Sequence, residues 1–140
     1  MPRVSVSEEE QAFIQERIDR FADEAPSELR WQVPHVQTHG ALPLHVGWTV
    51  TAGIRPDGTL IRWSTEADWP GARELEDAAW VNTALVQGAE RYPRLRRLIP
   101  ARPPNARTCE ACGGSGRLAL DANWIFQCGG VGWIDAAQAG

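Results

Sequence analysis

The chain contains no lysine: all 14 of its basic residues are arginine. An all-arginine complement reads first as the signature of a GC-rich genome and only second as selection for bidentate contacts. Cysteine is scarce and odd in number, at three, which suits no secreted disulfide framework and points to a reducing cytoplasm. Long apolar runs are missing. Nothing approaches the roughly 18 consecutive apolar residues of a membrane helix, and the start, Met1-Pro2-Arg3-Val4-Ser5 leading into Glu8-Glu9-Glu10, offers no signal-peptide core. Positive charge is not in excess: the net charge of −4 over 140 residues argues against a general nucleic-acid coat. Catalytic signatures are absent too. No serine sits in a nucleophile elbow, no carboxylate pair stands out, and the glycine clusters at 113–116 and 129–132 lack the Lys-Ser/Thr of a phosphate loop.

What is abundant is tryptophan. Seven in 140 residues exceed what one small core uses, so about two are expected at a binding surface; Trp69 and Trp133 are the candidates.

Hydrophobic periodicity predicts a helix from Ser7 to Glu24. Ser7 and Glu10 form a capping box, and Ile14, Ile18 and Phe21 make one apolar face before Pro26 stops it. The alternation of Leu29, Trp31 and Val33 predicts a short strand. A longer alternation, Leu44 to Ile54, leads into the tight turn Arg55-Pro56-Asp57-Gly58 and a returning strand Thr59 to Thr65, a β-hairpin. Ala72 to about Gln87 reads as a helix that Gly88 interrupts, and Pro93 opens a short helix carrying Leu95, Leu98 and Ile99. His35, His39 and His45 lie among Pro34, Gly40 and Pro43, which predict a loop with incidental histidines rather than a helix that would set two of them on one face.

The prolines of Pro100-Ala101-Arg102-Pro103-Pro104 read as a stiff linker. The expected organisation is an α+β domain over residues 1–100, with a small antiparallel sheet and flanking helices, then a Pro-rich linker over 101–107. A Gly-rich, zinc-knuckle-like β-hairpin module over 108–136 follows. Six arginines, at 91, 94, 96, 97, 102 and 107, stand in and before the linker with no acid among them. Arg94, Arg96 and Arg97 are the centre of that run. It is either a solvated basic face or a binding face for an acidic protein or RNA.

The module itself is a repeat. Cys109-Glu110-Ala111-Cys112-Gly113-Gly114-Ser115-Gly116 returns sixteen residues later as Ile125-Phe126-Gln127-Cys128-Gly129-Gly130-Val131-Gly132. Two cysteines separated by two residues can direct both thiolates at one tetrahedral ion, and the glycines let the chain fold back over the sulfurs. These residues, about 109–134, resemble one degenerate half of the zinc-finger region of DnaJ-type chaperones, built of C-x-x-C-x-G-x-G repeats. The resemblance implies that Cys109, Cys112 and Cys128 hold one Zn²⁺. Ile125 stands where the fourth cysteine belongs, so a fourth ligand comes from His35, His39, His45, Asp121 or water. Alternatively Ile125 packs as an apolar plug and no metal binds, or Cys109 and Cys112 act as a redox dithiol. Taken together, the residues favour a non-catalytic cytoplasmic protein that binds another protein, as an adaptor or immunity protein does. Chaperone-like client binding through the knuckle module, or RNA binding through the Arg91–Arg107 stretch, is the alternative.

Overall fold

A computed structural model describes residues 4–46, 50–64, 72–75, 78–110, 114, 128 and 131–134. The protein is α+β, and its chain divides into two compact units, Met1–Leu75 and Glu76–Gly140.

The first unit opens with helix α1, Glu8–Glu24. Its capping box is formed as expected: Ser7 Oγ accepts from the Glu10 amide at 3.1 Å and Glu10 Oε1 accepts from the Ser7 amide at 2.8 Å. Ile14, Ile18 and Phe21 are buried along one stripe. The opposite face carries ion pairs of Arg20 with Glu16 and Glu24, too exposed to add much stability.

Beyond Pro26 the structure departs from expectation. Ser27–Gln32 is a 3-10 turn, not a strand, and runs directly into helix α2, Val33–His39. Three alternating apolar residues fit a tight helical turn as well as a strand, and here only Leu29 is buried while Trp31 is 43% exposed. Of the residues that suggested a loop, Pro34 and Gly40 instead start and end the helix, and Pro43 lies in the strand that follows. Pro34 occupies its first turn, where a missing N–H costs nothing. Gly40 ends it in the left-handed conformation at φ 62°, its amide donating to the Val36 carbonyl.

A four-stranded antiparallel sheet follows in the order β1 (Leu42–Val46), β2 (Val50–Ile54), β3 (Leu60–Ser64), β4 (Ala72–Glu74). The alternation from Leu44 to Ile54 is therefore not one strand but two, paired Leu42 with Ile54 and Val46 with Thr51. A bulge between Pro43 and His45 resets the alternation in β1. The β2–β3 turn is the one the sequence signals. The Arg55 amide donates to the Thr59 carbonyl, the Gly58 amide to the Arg55 carbonyl, and Asp57 Oδ1 accepts from the Thr59 amide. On one sheet face Ile61 and Trp63 are buried with Ala41 and pack against Ala72.

The second unit holds α3, Ala78–Arg91, followed by a 3-10 turn over Pro93–Leu98. The predicted helix thus starts six residues late, because Ala72–Glu74 is claimed by pairing with β3. Gly88 does not interrupt it. Val81, Ala84, Leu85, Gly88 and Ala89 are buried at helical spacing, and Leu95 and Leu98 bury in the turn beyond. Strands β5 (Arg107–Thr108) and β6 (Trp133–Ile134) then pair antiparallel, Arg107 with Ile134 and Thr108 with Trp133.

Candidate functional site

The proline-rich segment does more than separate β5 from the helices. The Ala106 amide donates to the Pro103 carbonyl at 3.1 Å, and Arg102 Nη2 donates to the Ala106 carbonyl at 3.0 Å and to Thr108 Oγ1 at 3.3 Å. These contacts fold the segment onto β5 and so fix the approach to Cys109.

The β5–β6 pairing continues one step further. The Cys109 amide donates to the Gly132 carbonyl at 3.0 Å, and the Cys109 carbonyl accepts from the Gly114 amide at 3.0 Å. Cys128, four residues before Gly132, accepts at its own carbonyl from the Val131 amide. The first repeat is thereby stitched to the end of the second. Cys109 is wholly buried, Cys128 is 6% exposed, and neither is in a disulfide. Cysteine sulfur is a usual ligand of structural zinc, and Cys109 and Cys128 are the two cysteines among the described residues. Cys112, the third sulfur of the expected set, lies outside the described residues, as do Ile125 and Asp121. Among the described residues no group of three or more His, Cys, Asp or Glu gathers to hold an ion.

The expected binding residues divide similarly. Arg94, Arg96 and Arg97 are exposed on the 3-10 turn after α3, and Arg91, Arg102 and Arg107 are exposed as well. Trp133 is half-buried on β6, and Trp69 lies outside the described residues. An open cleft of about 150 Å³ is lined by Arg107, Thr108, Glu110 and Ile134. No helix among the described residues is long and apolar enough to cross a membrane.

In the first unit a second cluster stands where the sequence predicts a loop with incidental histidines. α2 sets His35 and His39 one turn apart, with ring centres 6.3 Å apart and planes within 23°. His39 also leans on Trp63 at 5.6 Å, and Arg55 Nε donates to the His39 carbonyl at 3.2 Å. Burial first, then the charges of His35 and Arg55, hold the His39 imidazole below its ordinary pKa. Behind this pair, Trp63 Nε1 donates to Gln32 Oε1 (3.0 Å) and Gln32 Nε2 donates to Thr51 Oγ1 (2.8 Å). His45 pairs with Ala52, whereas Trp63 pairs with Thr51, so successive positions of β2 put His45 on the opposite sheet face. The signal for the His35–His39 pair was their four-residue spacing; recognising it required reading Pro34 as a helix start.

No protein family, curated protein or solved structure matches the chain.

Proposed function

We propose that the chain is a non-catalytic binding protein whose second unit carries a structural zinc knuckle and presents an arginine-rich surface to an acidic protein partner. The observation that supports this most is the exposure of all six arginines from Arg91 to Arg107, with no acid in the interval, leading directly to Cys109, a cysteine buried outside any disulfide. Guanidinium groups match carboxylates bidentately and are weakly hydrated, so they serve protein interfaces well. Cys109, Cys112 and Cys128 are the residues to hold the zinc. When bound, the ion supplies a crosslink between the two repeats and no reaction. The resemblance to the DnaJ-type zinc finger, and the absence of nucleophile and phosphate-loop motifs from the sequence, support the same reading.

The test is affinity capture by the tagged full-length chain from nuclease-treated lysate of its host. The wild type is compared with Arg94→Glu/Arg96→Glu/Arg97→Glu, whose positions are exposed. One stoichiometric protein that survives moderate salt and is lost by the triple variant is the expected result. Material that nuclease removes would replace the protein partner with RNA. A diffuse set of proteins indifferent to the charge reversal would favour client binding instead.

A further inference from the structure

We propose that His35 and His39 of α2 form a two-imidazole chelate for an exchangeable divalent transition ion of the Zn²⁺, Ni²⁺ or Cu²⁺ class, in the first unit and separate from the cysteine motif. Two histidines four apart on a helix lie on one face, one above the other, which is how paired helical histidines share a metal. The condition is met here by the helix that Pro34 starts and Gly40 ends, with the Gly40 amide returned to the Val36 carbonyl at 2.8 Å.

The geometry is close to what an ion demands. With metal–nitrogen bonds of about 2.0–2.1 Å, two imidazoles at a tetrahedral angle have ring centres roughly 5 Å apart. The observed 6.3 Å asks for about 1 Å of closure. His39 is held against Trp63, so His35, which is only half-buried, supplies the movement by rotating its side chain. Imidazole nitrogen donors favour ions of the Zn²⁺, Ni²⁺ or Cu²⁺ class over Mg²⁺ or Ca²⁺, while the Arg55 guanidinium, anchored to the His39 carbonyl, lowers the affinity for every divalent cation alike. With two protein ligands, the remaining positions fall to water or to a donor from another molecule, so the ion exchanges freely.

The experiment is a titration of the uniformly ¹⁵N-labelled full-length chain with Ni²⁺, whose paramagnetism broadens nearby signals. The amides of residues 33–40 and the Trp63 indole N–H are expected to broaden together and to saturate along one curve. His35→Gln should raise the concentration needed by at least tenfold, since loss even of a group that merely supports a metal ligand costs about 10–100-fold. Because His39→Gln also removes a packing contact with Trp63, the His35 variant is the deciding one. His45→Gln should leave the curve in place. Broadening that ignores His35→Gln, or that His45→Gln abolishes, overturns the proposal, as does an α2 that stays sharp while signals near Cys109 broaden.

Discussion

The indole N–H of Trp63 finds its acceptor in Gln32, 31 residues earlier in the chain, and both side chains are wholly buried. The same glutamine donates to Thr51 on the neighbouring strand, so one amide satisfies two groups that have no access to water. The 3-10 turn ending at Gln32 is thereby tied to the face of the sheet. Gln32→Leu keeps the volume and removes both bonds, leaving the Trp63 donor and the Thr51 hydroxyl without that partner. At about 1–3 kcal/mol for each stranded buried group, urea unfolding should show a total loss of roughly 2–6 kcal/mol. An unchanged midpoint would mean that water reaches this face.

Gly53 sits under the Trp63 ring. A β-carbon there would stand 2.8 Å from two atoms of the indole and 2.9 Å from the Leu42 carbonyl oxygen. Neither neighbour is the loose end of a flexible side chain, since Trp63 is wholly buried and Leu42 offers backbone. Gly53→Ala should therefore cost about 1–3 kcal/mol by overpacking and change the near-ultraviolet circular dichroism. Gly40→Ala meets no atom within 4 Å, yet holds φ at 62°. Its cost, about 1–2 kcal/mol, is backbone strain alone, and it should leave the Trp63 signal unaltered.

The elements legible in the sequence were those with local chemistry of their own. Ser7 and Glu10 announce α1 because the capping box needs only three residues of context. Arg55-Pro56-Asp57-Gly58 announces the β2–β3 turn through Asp57, whose side chain closes it. The α+β class followed from these. What misled were segments decided by tertiary pairing. Ala72–Glu74 has helical composition but lies along β3, with Ala72 paired to Trp63. Leu44 is buried on a bulge, so counting even-numbered positions ran two antiparallel strands together. At the candidate sites, the cysteine repeat was visible as a motif. The His35–His39 pair was visible only as a spacing, and its meaning depended on whether Pro34 starts a helix or forbids one.

Zinc in the cysteine motif makes a quantitative claim. Protein purified without chelator should carry close to one equivalent by elemental analysis, and Cys109→Ser should lose most of it. Because Cys109 is wholly buried and its amide and carbonyl anchor both repeats, the variant should also lower the melting temperature. A second comparison separates metal from packing. A strong chelator should destabilise the wild type and leave Cys109→Ser where it was. Metal-free wild-type protein of unchanged stability would assign the module to apolar packing around Ile125 instead.

His39 gives the first unit a directional response to acid. Burial, followed by the charges of His35 and Arg55, holds its pKa in the folded chain below the ordinary value of 6.5. Above that value the imidazole is neutral in both folded and unfolded chains and contributes no pH dependence. As pH falls below it, the unfolded chain takes up the proton first, so the folded state loses stability until the folded imidazole titrates in turn. Protonation then sets a positive charge beside the Arg55 guanidinium, against the Trp63 ring. Stability measured by chemical denaturation should decline as pH falls through about 6.5, and His39→Gln should flatten that decline. The comparison must be between slopes, because other groups add their own and the substitution itself alters packing at every pH. Parallel slopes for variant and wild type would show that the cluster leaves the proton affinity of His39 unchanged on folding.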